Sequence, residues 1–461
     1  MQGRQDAYEG EWWLPSDEAN KVGGILDLGD TYQLRLLGSF DKQEPRPLEP
    51  TFDPSILLGR SLGKGITLLG GSFGPMTLSL FDGGSTIGIQ VPVAFVGDYW
   101  LEAPEEAVFD KVDAELTNLL QWANQSAIHK EHHDDRTSTI SNSWLPPSVA
   151  STNDAVLKIG HGFDDQHGAY SVSWTQHAGL LVDLSSPMTI TDIDYKFVRP
   201  FRHLLSLASG VDCAAGSLRV ANSTHLDEPR TFWLDVHAYG RTRAYERAEL
   251  ERPERMLFTL ADIDLADFLP RWYTLIEKLG ITADLLFSAS SPHVPYVSNK
   301  LFNLASAAEG MHERLYPGSD EKTPEHRSRV KSVLDAVPAQ HQDWLRETLR
   351  FSHKMSFEQR LRQLIEHAGP TADSFVGDHD KWTVLVKQLR NQYAHGAQKR
   401  RPIEDDVSKL SRLSATIDAL LRLVLLREMG FSDEQCMAMT NRAPRWRFLK
   451  QVLPTEIPEI F

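Results

Sequence analysis

The stretch Trp382–Arg401, WTVLVKQLRNQYAHGAQKRR, carries the pattern that decides the fold of the C-terminal part of this chain. Its apolar residues recur at intervals of three and four, which predicts a helix with one buried face. At about 100° per residue, they form a single stripe around the helix. The members of this stripe are Trp382, Leu385, Val386, Leu389 and Tyr393.

The opposite face of the same predicted helix is polar. Arg390, Asn391 and His395 lie away from the apolar stripe, and Gly396 follows as a helix-ending residue. His395 therefore falls in the last turn, where the negative end of the helix dipole favours an imidazolium. A basic cluster, Lys399, Arg400 and Arg401, comes directly after it. This arrangement raises the question of whether the polar face is a chemical site.

Helical periodicity extends well beyond this stretch. From about residue 261, seven segments repeat apolar residues at three and four, and several end at Gly or Pro. We expect a connecting helix within 261–289, followed by an all-α bundle over 290–461. The segments are DLADFLPRWYTLIEKLG, VSNKLFNLASAAEGMHERLY, RVKSVLDAV, QDWLRETLRFS, FEQRLRQLIEHAG, KWTVLVKQLRNQYAHG and DVSKLSRLSATIDALLRLVLLREMG.

Residues 1–260 show a different pattern, with many short, strand-like runs separated by Gly, Pro, Asn and Asp. These runs predict a β-rich domain resembling a sandwich or barrel, with one helix around FVRPFRHLLSLASG. The polar stretch Asn124–Asp154 is interpreted as a long loop or as a joint between two β subdomains. The predicted fold class is therefore α+β, with β-structure first and helices second.

Length and composition restrict the class of protein. The 461 residues are 41% hydrophobic and 24% charged, which is typical of a globular chain of two or three domains. Cys213 and Cys436 are the two cysteines, so no disulfide framework is expected. No apolar run has the length of a membrane span, and the start of the chain lacks the apolar core of a secretion signal. We expect a cytoplasmic protein without membrane partners.

Charge is distributed unevenly along the chain. The formal net charge of −15 argues against a protein that coats nucleic acid. From Ser291 onward, however, 25 basic residues face 22 acidic ones, whereas the first 290 residues carry 23 basic and 41 acidic residues. The C-terminal part is thus close to neutral at +3, and the N-terminal part carries −18. This asymmetry permits RNA as a partner of the C-terminal part and indicates different roles for the two parts.

Three other motifs are better explained by structure than by chemistry. LGRSLGKGIT resembles a phosphate-binding loop but has the wrong spacing, so it is interpreted as a turn between strands. Trp12 and Trp13 are assigned to the β core. A histidine-rich segment could hold a metal ion but lacks a regular helical spacing, so we expect a solvated loop and predict no metal or other cofactor. Its candidate ligands are His129, His132, His133, Asp134 and Asp135.

The pairing of arginine with histidine suits RNA cleavage. The 2′-hydroxyl of RNA attacks its adjacent phosphate when a base removes its proton and a cation stabilises the phosphate charge. Histidine titrates near neutral pH, and the arginine fork matches phosphate oxygens. In-line displacement benefits from groups on both sides of the phosphate, and one helix supplies only one Arg–His pair. A two-fold dimer would supply the second. The alternative is that both residues are ordinary solvated side chains.

Three stretches resemble a known family. RNQYAH, Arg390–His395, resembles the R-x-x-x-x-H signature of HEPN ribonucleases, including an Asn in the second position. LFNLASAAEGMHERLYP is similar to the first helix of the HEPN domain in ApeA-type proteins. The N-terminal EGEWWLPSDEANKVGGILDLGDTYQLRLLGSF is similar to the start of the ApeA N-terminal domain. The resemblance implies a bacterial antiphage protein that acts by abortive infection.

The resemblance also implies roles for individual residues. Arg390 would bind the scissile phosphate, His395 would act as general base or acid, and Asn391 would assist by hydrogen bonding. The HEPN domain would be a metal-independent endoribonuclease acting as a homodimer or larger symmetric oligomer, leaving a 2′,3′-cyclic phosphate and a 5′-hydroxyl. The N-terminal domain would sense a phage-derived trigger or restrain the nuclease.

Further candidates lie around this core set. Lys399, Arg400 and Arg401 could hold flanking RNA phosphates, although an exposed basic turn without a ligand explains them equally well. Glu309 and His312 are added from the first bundle helix, with an ordinary solvated helix face as their alternative explanation.

Two alternative functions remain open. The helical domain could be a non-catalytic module for RNA binding or dimerisation, coupled to a ligand-binding β domain. A toxin controlled by a separate antitoxin is the second alternative, and the large N-terminal domain argues against it because a built-in sensor makes a separate inhibitor unnecessary.

Overall fold

The structure is a computed structural model. It describes residues 7–29, 32–40, 55–78, 85–134, 137–223, 231–238, 249–289, 296–395 and 407–451, with the backbone alone at 73–78, 85, 394 and 395. The chain divides into two compact units, which are described separately below. The first contains Met1–Leu205, Cys213–Pro253 and Thr259–Tyr273, and the second contains Ser206–Asp212, Glu254–Phe258 and Thr274–Phe461. Strands dominate the first unit and helices form the second, which confirms the α+β class.

In the described residues of the first unit, fourteen strands form one sheet and two more form a separate hairpin. Every pairing is antiparallel, and the sheet order is β12-β13-β14-β9-β15-β16-β8-β5-β4-β1-β2-β3-β7-β6. The strands are β1 Ala7–Leu14, β2 Asp17–Asp27, β3 Gln33–Leu36, β4 Ile56–Ser61, β5 Lys64–Leu69, β6 Ser72–Leu78, β7 Ser85–Gln90, β8 Val93–Gly97, β9 Val108–Leu116, β10 Ile128–His132, β11 Ser138–Asn142, β12 Ser148–Ser151, β13 Ala155–Gly168, β14 Ser171–Thr189, β15 Ala215–Ala221 and β16 Leu234–Ala238.

The core of the sheet forms where strand alternation buries every second residue. Trp12 on β1 is fully buried in this core and Trp13 is buried on the other face, so the prediction that both are core residues is confirmed. Gly59 on β4 lies against the Trp12 ring, and a Cβ added there would come within 2.3 Å of it. A residue without a side chain is therefore required at Gly59.

The segment that resembles a phosphate-binding loop is a β-hairpin. β4 and β5 pair directly, and the turn between them consists of Leu62 and Gly63. Both turn residues have positive φ angles, 48° and 82°, which is typical of a type I′ hairpin turn. The interpretation as a turn between strands is confirmed.

The stretch Asn124–Asp154 differs from its prediction as a loop, because it contains the hairpin β10–β11 and the strand β12. The strands on its two sides, β9 and β14, pair with each other within the one sheet. His129, His132 and His133 are exposed, and each bonds a hydroxyl group from across the hairpin. Their ring nitrogens are thus engaged with serine or threonine side chains.

All seven segments predicted as helices are helical, as is α3, the helix predicted around FVRPFRHLLSLASG. In the described residues the helices are α1 Leu119–Ala123, α2 Ile190–Ile193, α3 Arg199–Ser209, α4 Leu265–Leu279, α5 Ile281–Ser288, α6 Val297–Leu315, α7 Pro324–Asp335, α8 Ala339–Thr348, α9 Phe357–Ala368, α10 Asp373–Val376, α11 His379–His395, α12 Val407–Glu428 and α13 Asp433–Arg442. Among these helices none combines the length and the apolar character that crossing a membrane requires.

The long helix α12 forms the centre of the second unit. It is buried along nearly its whole length and packs most extensively against α6, with α9 also in contact. Arg422 on α12 is fully buried and is neutralised by Asp418 one turn earlier, at 2.9 Å. It also donates to the carbonyl of Ser206 at 2.7 Å. A buried arginine requires such partners, because an unpaired charge in this position would be strongly destabilising.

Candidate active site

The rotation of α11 about its axis is fixed by its buried stripe. Trp382, Val386 and Leu389 are fully buried, and the Trp382 indole Nε1 donates to the Thr416 hydroxyl of α12 at 2.8 Å. Burial of each large apolar side chain contributes about 1.5–3 kcal/mol, so rotating the helix would be costly. Arg390 follows Leu389 directly and is consequently held at the edge of the buried stripe, partly open to solvent.

The Arg390 guanidinium is held by three neighbours. Its Nη2 donates to Glu309 Oε2 on α6 at 2.5 Å, and its Nη1 donates to Asn391 Oδ1 at 3.2 Å. The guanidinium carbon lies 5.6 Å from the centre of the Phe357 ring, at the start of α9. Arg390 is 27% exposed and Glu309 is 36% exposed, so solvent reaches both members of the ion pair. Residues from three helices thus orient one cationic fork.

This geometry leaves part of the fork unused. A guanidinium has five N–H donors, and the described residues engage one on Nη1 and one on Nη2. The Nε group is buried and has no hydrogen-bond partner within the described residues. Each terminal nitrogen therefore keeps one N–H that the described residues do not engage, and guanidinium N–H groups are common donors to phosphate oxygens. Glu309 and Arg390 are both partly open to solvent, which weakens their ion pair.

His395 is the last described residue of α11. Only its backbone is described, and Lys399, Arg400 and Arg401 lie outside the described residues. Five residues along a helix correspond to about 7.5 Å of rise and about 140° of rotation. Arg390 and His395 of one chain therefore start from different sides of the same helix. A second copy of the chain could supply an imidazole from another direction.

His312, three residues after Glu309 on α6, is fully buried, so the alternative of a solvated helix face does not hold for it. Its Nε2 bonds Gln363 Oε1 at 2.6 Å, and its Nδ1 accepts from Arg360 Nη1 at 3.1 Å. Burial lowers the pKa of His312 below its usual value, and the charge of Arg360 adds to this effect. A neutral ring with both nitrogens engaged supports the packing of α6 against α9.

Arg360 extends this buried network. It is 5% exposed and forms an ion pair with Asp320 in the loop after α6. Asp320 Oδ1 also accepts from the backbone N–H of Met355 at 3.0 Å, close to the start of α9. Burial raises the pKa of Asp320, but the Met355 hydrogen bond and the charge of Arg360 oppose it more strongly and hold the pKa below its usual value. The network ties the loop after α6 to the helix that carries Phe357.

Sequence reasoning identified Glu309 but not its contact with Arg390, and it missed Phe357, Arg360 and Gln363. Arg390 and Glu309 are 81 residues apart, and no local pattern announces their pairing. A signal was present in the i, i+3 spacing of Glu309 and His312 on α6, which places two polar groups along one side of a helix. The same spacing relates Phe357 and Arg360 on α9.

Comparison with known families agrees with this architecture. Residues 7–272, more than half of the chain, match the family described as ApeA N-terminal domain 1. Residues 302–435 match the family described as Apea-like HEPN, and this range contains α9, α11 and all of α12. No curated protein and no solved structure matches the chain. The chain belongs to the ApeA family, with an ApeA N-terminal domain followed by an Apea-like HEPN domain.

Proposed function

We propose that this protein is an antiphage endoribonuclease that acts in the cytoplasm by abortive infection. The observation that carries the proposal is the Arg390 guanidinium, which is oriented by Glu309 and Asn391 and keeps one N–H on each terminal nitrogen unused by the described residues. Such a fork is suited to a phosphodiester, whose two non-bridging oxygens accept parallel hydrogen bonds. The Apea-like HEPN match supports the same class of activity.

The proposed reaction is a transesterification within the RNA. His395 of one chain removes the proton of the ribose 2′-hydroxyl, and the 2′-oxygen forms a bond to phosphorus. The bond from phosphorus to the 5′-oxygen breaks, and that oxygen takes a proton from the second imidazole. Arg390 stabilises the negative charge that builds on the phosphate, and the Asn391 amide N–H donates to the same phosphate. Lys399, Arg400 and Arg401 hold the flanking phosphates.

Symmetry completes the proposed site. One chain offers one guanidinium and one imidazole on different sides of α11, whereas displacement at phosphorus uses a base and an acid on opposite sides. A two-fold dimer that brings two α11 helices together supplies a second guanidinium and a second imidazole. A homodimer, or a larger oligomer built from it, is therefore the proposed active form.

The chemistry of the RNA ends tests the proposed reaction. We expect purified protein, incubated with RNA and excess EDTA, to leave a 2′,3′-cyclic phosphate and a 5′-hydroxyl, since no step requires a metal ion. Ligation assays specific for each end group, with and without EDTA, measure this. The proposal fails if the new 5′ ends carry phosphate or if EDTA abolishes cleavage.

Glu309 is proposed to position Arg390 while competing with the phosphate for it. Glu309→Gln keeps a hydrogen-bond acceptor but removes the competing charge, so we expect KM for RNA to fall by about two- to fivefold with kcat little changed. Glu309→Ala removes the acceptor, and we expect kcat to fall. Steady-state kinetics of both variants separate the two effects. Equal kinetics for Glu309→Gln and Glu309→Ala would contradict this role.

The N-terminal domain is proposed to sense infection and to restrain the nuclease until then. Its support is the charge of −18 on the first 290 residues against +3 on the remainder, because a strongly acidic domain repels RNA. A chain that starts near residue 290 is expected to cleave RNA faster than the full-length protein at low salt. A truncated protein that folds but cleaves no faster would count against restraint.

The non-catalytic alternative predicts a different outcome. A module that only binds RNA or dimerises would retain RNA binding and dimerisation in Arg390→Ala and His395→Ala variants, and the wild-type protein would cleave no RNA. The end-group assay described above therefore distinguishes the two functions.

A further inference from the structure

Two helices of the second unit lack the buried face that normally holds a helix in place. Neither α7, Pro324–Asp335, nor α8, Ala339–Thr348, contains a buried side chain. Polar contacts hold them together instead: Gln342 Nε2 donates to the carbonyls of Leu334 and Val337, at 3.2 and 3.1 Å. The apolar side chains of these helices are at most partly buried.

Large aromatic side chains are nevertheless exposed on α8 and on the 3₁₀ turn that follows it. Trp344 is 69% exposed and Phe351 is 59% exposed. The α-helix ends at Thr348 and a 3₁₀ turn follows over Leu349–Phe351. With about 100° per residue in the first and about 120° in the second, the two residues lie about 40° apart, on one side. Two exposed aromatic rings on one side of a helix without a buried face form an apolar surface that needs a separate explanation.

Two cationic side chains lie close to the Phe351 ring. The Arg350 guanidinium carbon lies 5.3 Å from the centre of the Phe351 ring, and Lys354 Nζ lies 5.4 Å from it. Residues 324–354 contain six Lys and Arg against four Asp and Glu, in a chain with a net charge of −15. One of the four acids, Asp343, is paired with Arg346 at 2.5 Å. We name the side formed by Trp344, Arg350, Phe351 and Lys354 the aromatic–basic stripe.

Positive groups also lie near a neighbouring histidine, His353. Partial burial lowers the pKa of His353 below its usual value, and the charges of Lys322 and Lys354 lower it further, whereas Asp320 opposes them. An anionic partner bound beside these lysines would be stabilised by their charge.

We propose that the aromatic–basic stripe binds unpaired RNA, with bases stacked on Trp344 and Phe351 and phosphates neutralised by Arg350 and Lys354. This inference rests on the proposed function and specifies its substrate class as single-stranded RNA. Exposed aromatic rings with flanking cations are the chemistry by which proteins hold single strands, because every base has a face to stack and every linkage carries a charge. Duplex RNA, whose bases are already stacked on each other, offers no such contact.

The stripe lies within reach of the candidate active site. Phe351 is six residues before Phe357, whose ring lies 5.6 Å from the Arg390 guanidinium. Six residues of extended chain span at most about 22 Å between Cα atoms. A strand of several nucleotides can therefore contact the stripe while one of its phosphates lies at Arg390.

A second copy of the chain is the competing occupant of this surface. A two-fold interface centred on the stripe would bring Arg350 and Lys354 close to their own symmetry mates. Such like charges repel each other, whereas RNA phosphates attract all of them. The charges therefore favour RNA.

Binding to a defined RNA tests the proposal without requiring cleavage. The probe is a fluorescein-labelled strand of about 20 adenosines, compared with the same strand paired to uridines, and the full-length protein carries His395→Ala throughout. We expect the double variant Trp344→Ala/Phe351→Ala to raise Kd for the single strand at least tenfold, since each lost stack weakens binding several-fold or more. The exposed Trp144→Ala in the first unit is the matched control, and its Kd is expected to stay within twofold.

Three results would overturn the proposal. The first is a Kd of the double variant within twofold of the control. The second is an equal loss for single-stranded and duplex RNA. The third is loss of the oligomer, seen by sedimentation, with single-strand binding unchanged, which would assign the stripe to a second copy. Binding is measured without cleavage. A protein that cleaves no RNA would therefore contradict the proposed nuclease function, whereas this binding test would still apply.

Discussion

Replacing Arg390 or His395 by alanine is expected to lower the rate of RNA cleavage by about 10²–10⁴-fold. The histidine is the proposed proton-transfer group, and loss of such a group typically costs a factor in this range. The arginine stabilises charge that exists on the phosphate during the reaction, and loss of one such donor costs about 10²–10³-fold. Single-turnover cleavage of a labelled RNA measures both effects.

Matched controls separate chemistry from folding. Arg362 on α9 is an exposed arginine, and His379 is a partly exposed histidine at the start of the same helix α11. Alanine at either position is expected to leave cleavage within about twofold of wild type, because exposed ion pairs contribute little. Arg390→Lys keeps the charge but not the fork, so its activity should fall between those of wild type and Arg390→Ala. Wild-type rates for either Arg390→Ala or His395→Ala would exclude the proposed site.

Arg360→Met is expected to reduce the free energy of unfolding of the helical domain by about 3 kcal/mol. The guanidinium is 5% exposed and is shared between Asp320 and His312, so its removal leaves a carboxylate and a ring nitrogen without their donor. Removing one member of a buried ion pair typically costs about 3–5 kcal/mol, and the lower value applies because Asp320 is 25% exposed.

The control for this stability prediction lies two residues away on the same helix. Arg362→Met removes an arginine that is 39% exposed and bonds Glu358 and Asp380, and the expected loss is about 1 kcal/mol or less. Denaturant unfolding followed by far-UV circular dichroism measures both variants. Equal losses of unfolding free energy in the two variants would show that burial does not determine how much the Arg360 network contributes to stability.

The buried network also bears on catalysis. It fixes the loop after α6 and the start of α9, and the start of α9 carries Phe357, a neighbour of Arg390. We therefore expect Arg360→Met to weaken the orientation of Phe357 and Glu309 about the guanidinium without touching the reacting groups. Arg360 is a positioning residue in this account.

The helices were predictable because their signal is local. On α11 the residues Trp382, Leu385, Val386 and Leu389 are all buried, as the three-and-four spacing predicts. Tyr393, at the end of the same stripe, is only partly buried, because a stripe loses its neighbours towards the end of a helix. The apolar α5 has no polar face, and α13 is largely polar, so neither shows the periodicity that revealed the others.

The strands were predictable as a class but not in their order. β8 pairs with β16, which lies about 140 residues later, and no residue pattern encodes that partner. The hairpin β10–β11 was interpreted as a loop because its residues are polar on both faces and nearly all exposed. Alternation of apolar and polar residues is the usual strand signal, and it is absent where neither face is buried.

The candidate site was likewise predictable in its local helical positions but not in its contacts between helices. The sequence placed Arg390, Asn391 and His395 on the polar side of one helix, since their positions follow from helical geometry alone. The contacts with Glu309 and Phe357 depend on how α6, α9 and α11 pack, and they required coordinates. The sequence could not distinguish an exposed His312 from a buried one, because a single histidine satisfies either position.

The central claim is that two chains share one site for RNA cleavage. Its most direct measurement is the cleavage rate of dimers formed by co-expressing wild-type protein with the Arg390→Ala/His395→Ala double variant in known proportions. If both chains contribute to the site, activity falls with the square of the wild-type fraction, because only dimers of two wild-type chains retain every group. Activity that falls in direct proportion to the wild-type fraction would mean that each chain carries a complete site, and it would contradict the account.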